Sequence, residues 1–173
     1  FLSGVQNITV GGNAVGQGNS IARFNTGIYG QNGLSNVSLL SNEVTSSSSA
    51  GMRLDPGDYT GTVVENNTIE AGNITASSGL LLNNVVNLGR VVGNRVSGTV
   101  NGLTISGNAA GTTISGNVFA NGTVGARLAS VTGLALDGGN QFSGYGYGVY
   151  LTGESLGTSV QNNAIVGGDA ATA

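Results

Sequence analysis

The chain has no cysteine, no histidine and no lysine, and it carries a single proline and a single methionine. Without cysteine there is no disulfide, no thiolate metal site and no cysteine nucleophile. The absence of histidine and lysine removes the commonest general base and the Schiff-base amine. Charge is scarce as well. Five arginines and eight acidic residues give a net charge of -3, and charged residues make up 8% of the chain, against roughly a quarter in ordinary domains. No basic patch speaks for a nucleic-acid partner. No run of about 18 apolar residues is present that would span a membrane as a helix.

What is present is glycine, at 32 residues, together with regularly placed Val, Ile and Leu. That pairing describes a chain that turns often and packs backbone closely at each turn. An Asn followed two places later by an apolar residue recurs at Asn13, Asn42, Asn67, Asn94, Asn117, Asn140 and Asn163. The apolar partners are Val15, Val44, Ile69, Val96, Phe119, Phe142 and Ile165. A second marker, Gly-apolar-any-apolar, recurs between them at Gly51, Gly79, Gly102, Gly125 and Gly148, with a weaker copy at Gly27. A third short alternating segment leads into each Asn, as in Ile8-Thr9-Val10, Val37-Ser38-Leu39 and Thr112-Thr113-Ile114. Repeats of this length built from β-type residues define a solenoid in which no turn buries its apolar side alone. The sequence therefore predicts an all-β parallel β-helix of about seven coils, each of roughly 23 residues or more with three short strands. The Asn residues should form a ladder at a corner, where left-handed backbone is tolerated and amide bonds to amide one coil away.

Asn66-Asn67-Thr68-Ile69, Ile114-Ser115-Gly116-Asn117 and Gln161-Asn162-Asn163-Ala164-Ile165 resemble the generic coil of the right-handed parallel β-helix repeat proteins, the pectate-lyase-like superfamily. The resemblance covers nearly the whole chain and implies the fold and its right-handed winding. It implies no single activity, because that group spans polysaccharide lyases, hydrolases, epimerases, tailspikes and adhesins. Residues 1–173 read as one β-helix domain, a segment of a longer solenoid, with Phe1-Leu2-Ser3-Gly4 opening straight into a repeat.

Three places could carry chemistry. The outward middle position of the glycine-led strand gives Tyr29, Arg53, Leu81, Thr104, Arg127 and Tyr150 as one stripe, and its Tyr and Arg residues suit sugar contact. Asp55-Pro56-Gly57-Asp58-Tyr59 is first of all a turn. Asp55 and Asp58 with Glu65 could also hold Ca²⁺ or serve as an acid/base pair on a glycosidic bond. Longer connections after the Asn unit, at 16–26 and 70–78, should leave one corner, with Arg23 and Phe24 capping the side or touching a ligand. The superfamily's lyases and hydrolases use clustered carboxylates and a basic group, and this chain is poor in both. The expected role is thus a non-enzymatic structural or adhesive segment of an extracellular rod, filament or spike. It would join flanking coils or copies of itself through its open ends and need no cofactor. The alternative is a polysaccharide-binding or -cleaving module using Tyr29, Arg53, Asp55, Asp58, Tyr59, Arg127 and Tyr150. The Asn/Ser/Thr-rich, cysteine-free surface fits a secreted or cell-surface location.

Overall fold

The computed structural model describes residues 1–72 and 76–168. The chain winds as a parallel β-solenoid of about six full turns with three faces. On the asparagine face, Ser20–Ala22, Glu43–Thr45, Thr68–Glu70 and Arg95–Ser97 stack in parallel, and the starts of Val118–Thr132 and Gln141–Thr152 continue the stack to Ala164–Gly167. On the glycine-led face, Leu2–Ser3, Thr26–Gln31, Ala50–Leu54, Ser78–Asn83 and Asn101–Asn108 stack, followed by the later halves of those same two long strands. The third face runs through Thr9–Gly11, Ser38–Leu40, Val63–Glu65, Arg90–Val92, Thr113–Ser115, Ala135–Asp137 and Ser159–Gln161.

Period-2 alternation sends one side chain of each triplet inward. On the asparagine face, Ile21, Val44, Ile69, Val96, Phe119, Phe142 and Ile165 are register partners down the axis. The Phe119 and Phe142 rings stack at 5.0 Å and 6°. On the third face the inner column runs Val10, Leu39, Val64, Val91, Ile114, Leu136 and Val160. Met52, Leu54, Leu80, Leu82, Leu103, Ile105 and Leu128 close the core from the glycine-led face. The glycine marker has a steric cause. A Cβ on Gly27, Gly51, Gly79 or Gly148 would fall inside van der Waals contact of Val44, Ile69, Val96 or Ile165, the apolar side chain of the following Asn unit. Only a residue without a Cβ lets that side chain fill the corner.

The first Asn unit is placed differently from expectation. Ser20–Ala22, not the segment at Asn13, pairs with Glu43–Thr45, and Val15 is fully exposed. Asn19 and Ile21 therefore occupy the places expected for Asn13 and Val15. The extra length of that coil lies before the Asn unit, between Gly11 and Asn19, so it does not share a corner with the longer connection after Ile69. Within the second connection residues 73–75 lie outside the described residues, as does the chain end at 169–173.

The left-handed backbone also sits one residue earlier than expected. Ser41 (φ 53), Asn66 (φ 55), Gly93 (φ 67), Gly116 (φ 62), Gly139 (φ 81) and Asn162 (φ 53) take it, each immediately before a ladder Asn. The turn at Asp137-Gly138-Gly139, read as bulged, places both glycines at positive φ, and Gly138 N–H donates to Asp137 Oδ1 at 2.6 Å.

Candidate functional site

A continuous ladder of buried amides runs along the asparagine corner. Asn42, Asn67, Asn94, Asn117 and Asn140 are at most 1% exposed. Each side-chain Nδ2 donates to the Oδ1 of the next Asn along, at 2.8–3.0 Å from Asn19 through to Asn163. Its second N–H donates to a third-face carbonyl, as from Asn67 to Leu39 O at 2.9 Å. Each central Oδ1 accepts both the Nδ2–H and the backbone N–H of the preceding Asn, as Asn94 Oδ1 does from Asn67 at 2.9 and 3.0 Å. An Asn amide offers two donors and two acceptor sites, and all four are used. Asn13 is exposed and outside this chain of bonds.

The solvent-facing chemistry lies on the glycine-led face. Tyr29, Arg53, Leu81, Thr104, Arg127 and Tyr150 are successive Cα partners, so the expected stripe forms a single column. Two residues beyond Tyr29, Arg53, Leu81 and Thr104 lie Gln31, Asp55, Asn83 and Ser106, of which Gln31 pairs with Ser3 and Asn83 with Ser106. Where these positions meet the stripe in the second and third coils the side chains lock together. Arg53 donates from Nε and from its terminal nitrogen to the two oxygens of Asp55 at 2.8 and 2.9 Å. The Tyr29 hydroxyl donates to Asp55 Oδ2 at 2.6 Å, with Gln31 Oε1 at 3.0 Å. The Arg53 guanidinium carbon lies 5.4 Å from the Tyr29 ring centroid, a cation–π arrangement.

These contacts set the ionisation of the group. Burial pushes the Asp55 carboxyl up, but hydrogen bonds from Arg53, Tyr29 and Asn83 and the Arg53 charge outweigh it and hold it below its usual value. The hydrogen bond to Asp55 raises both Tyr29 and Arg53 above theirs. Asp55 is thus an ionised anchor with both oxygens occupied, which is unlike a carboxyl poised to exchange a proton.

Beside this cluster opens a cleft of about 610 Å³, walled by Phe1, Ile21, Phe24, Asn25, Tyr29 and Arg53 among others. The Phe1 and Tyr29 rings are 5.2 Å apart. At the other end of the stripe Arg127 neighbours Tyr150, whose ring lies 5.7 Å from that of Tyr147.

The remaining candidates do not join the site. Tyr59 is fully buried, and its hydroxyl sits 2.6 Å from Asp55 O and 3.2 Å from Gly30 O, so it pins the Asp55 corner to the neighbouring coil instead of meeting ligand. Burial pushes the Tyr59 hydroxyl up, well out of the titrating range. Asp58 Oδ1 accepts from Thr60 N–H at 3.0 Å and Thr60 Oγ1 at 2.7 Å, which closes the turn. Glu65 pairs with Arg90 on the third face. Asp55, Asp58 and Glu65 therefore serve three different partners, and the Ca²⁺ or acid/base set read from their closeness in sequence is not assembled. Among the described residues no three His, Cys, Asp or Glu side chains come close enough to share a metal ion.

Sequence reasoning missed Asn19, Gln31 and Asn83. Counting back the 23-residue spacing from Asn42 reaches Asn19, and stepping two places along the strand from Tyr29 or Leu81 reaches the other two.

Fold and surface together define a parallel β-helix repeat protein with an amide-laddered corner. A family model described as periplasmic copper-binding protein (NosD) matches residues 2–172, and the chain belongs to that family. No curated protein and no solved structure matches the chain.

Proposed function

We propose that the chain is a non-enzymatic structural segment of a β-helical rod that works outside the cytoplasm, in the envelope or beyond it. The observation that carries this reading is the fully reciprocated Asn ladder. It commits the polar groups of one corner to holding coil on coil and leaves none of them for ligands. The carboxylates point the same way, since Asp55, Asp58 and Glu65 are tied to separate partners. The family's description as periplasmic supports the location. The end coils present half-covered inner-column residues, Ile21 at one end and Ile165 at the other, and these suit stacking on further coils or on a second copy. Sedimentation across a wide concentration range tests the contact, and a species that stays dispersed at every concentration counts against it. Turnover of any acidic or neutral polysaccharide, abolished by Asp55→Asn, would overturn the non-enzymatic reading.

A second reading has its own support in the cleft beside Tyr29 and Arg53: the face could contact a glycan without cleaving it. The motive is the flat aromatic and hydrogen-bonding surface in register with the coils. A glycan array with and without Ca²⁺, repeated with Arg53→Ala and Arg127→Ala, tests it. Binding that both variants leave unchanged, or no binding at all, removes this reading.

A further inference from the structure

We infer that this chain has no copper site of its own, although the family it belongs to is described as copper-binding. The ground is the chemistry of the donors. Copper(I) selects thiolate and thioether sulfur, and copper(II) selects imidazole with further nitrogen or oxygen in a tetragonal arrangement. The 173 residues contain no cysteine and no histidine, and their one sulfur belongs to Met52. Met52 is 2% exposed and sits in the inner column between Ile28 and Leu80, its Cα partners on either side. A lone thioether sealed among aliphatic side chains has neither a second ligand nor a route for the ion.

Among the described residues no three carboxylates gather to repair the deficit. Both oxygens of Asp55 are taken by Arg53 and Tyr29, and Asp58 closes its own turn on Thr60. Glu65 is paired with Arg90, and Asp137 Oδ1 accepts from Gly138 and Asn162. The ladder amides spend their capacity on one another. A set made of carboxylate and carbonyl oxygen alone would in any case favour hard ions over copper. The coil pattern of the family is therefore present in this chain without copper-selective side chains.

The test uses the chain expressed without a polyhistidine tag. It is incubated separately with copper(I) under reductant and with copper(II), then desalted in glycine buffer, which strips chelates formed only by a terminal amine and adjacent amides. Copper is measured by mass spectrometry, the copper(II) sample by electron paramagnetic resonance, and the unfolding midpoint with and without each ion. The expected result is copper at the level of a buffer blank, no protein-derived resonance and an unmoved midpoint. Stoichiometric copper retained in either state, or a midpoint raised by either ion, overturns the inference. Met52→Leu, close in volume, adds a specific arm: copper(I) held by the parent chain and lost from this variant would mean that Met52 is a ligand, and the inference would fail there too.

Discussion

Asn94 donates its side-chain N–H to Asn117 Oδ1 at 2.9 Å, and its backbone N–H reaches the same oxygen at 2.9 Å. One side-chain atom on the next coil thus fixes both the rotamer of Asn94 and the path of its main chain. Removing the amide should expose this. Asn94→Ala strands the backbone N–H and one side-chain N–H of Asn67 in a dry corner, and it removes one bond from the strand-paired Val64 carbonyl. At about 1 kcal/mol or more for each orphaned buried group, the loss should be roughly 2 kcal/mol. Asn19→Ala, at the exposed end of the ladder, should cost a small fraction of that. Urea midpoints for the two variants check the ordering, and equal losses would mean that the ladder is decorative.

The glycine column predicts a second contrast. Gly79→Ala drives a methyl group into Val96, and Gly102→Ala meets the Tyr145 hydroxyl at 2.6 Å and Phe119 at 3.0 Å. Each should cost about 1–3 kcal/mol as an overpacked core. Gly146→Ala meets nothing nearer than Thr123 O at 3.5 Å and should lie within about 0.5 kcal/mol of the parent. Thermal denaturation of the three variants is the check.

Acid should act through Asp55. Its folded pKa is depressed, so the unfolded chain takes up the proton first as pH falls. The stability it contributes is present in full above the ordinary carboxylate value of about 3.9 and is lost below it, as pH drops toward the depressed value. Asp55→Asn should be less stable than the parent at neutral pH and should flatten the acid limb of stability against pH. Urea denaturation between pH 7 and the acid limb measures this, and an unchanged limb would assign the dependence to other carboxylates.

The outward column can be given what the natural sequence withholds. Thr104 and Arg127 are Cα partners, so Thr104→His combined with Arg127→His sets two imidazoles about 4.8 Å apart on one face. The double variant should gain retention on copper-charged chelating resin and a midpoint raised by copper(II). Either single variant should show much less. Equal behaviour of single and double variants would mean that the stripe is not aligned as described.

Much of the fold was legible because its determinants repeat. Met52 and Leu54 face in and Arg53 faces out, as period-2 alternation requires. The stripe from Tyr29 to Tyr150 follows from counting coils. The errors fall where the repeat is interrupted. Asn13-Ala14-Val15 copies the local motif, but the true member is Asn19, one 23-residue spacing before Asn42. A pattern three residues long cannot distinguish a coil from a loop that imitates it, whereas spacing can. The tolerance of Asn for left-handed backbone points to the ladder Asn itself, but Ser41, Asn66 and Asn162 show that the residue just before it takes that conformation. The candidate site was harder. Asp55, Asp58 and Glu65 are close in sequence, but the corner at Pro56 sends them to separate partners, and sequence proximity holds no record of that divergence. The Arg53–Asp55–Tyr29 lock needs a contact between adjacent coils, which only the register supplies.

Because Asn42, Asn67, Asn94 and Asn117 each bond the same way to their successor, the coils that meet at this corner are interchangeable there. Asn94 and Asn117 are 23 positions apart and play identical roles. Excising residues 94–116 would bring Asn117 beneath Asn67 with the same donors and acceptors facing, and duplicating them would lengthen the rod by one layer of about 4.8 Å. Length is thus a quantity this chain can change by whole-coil copying without redesigning its interior, and nearest-neighbour stacking makes each added layer stable on the terms of the last.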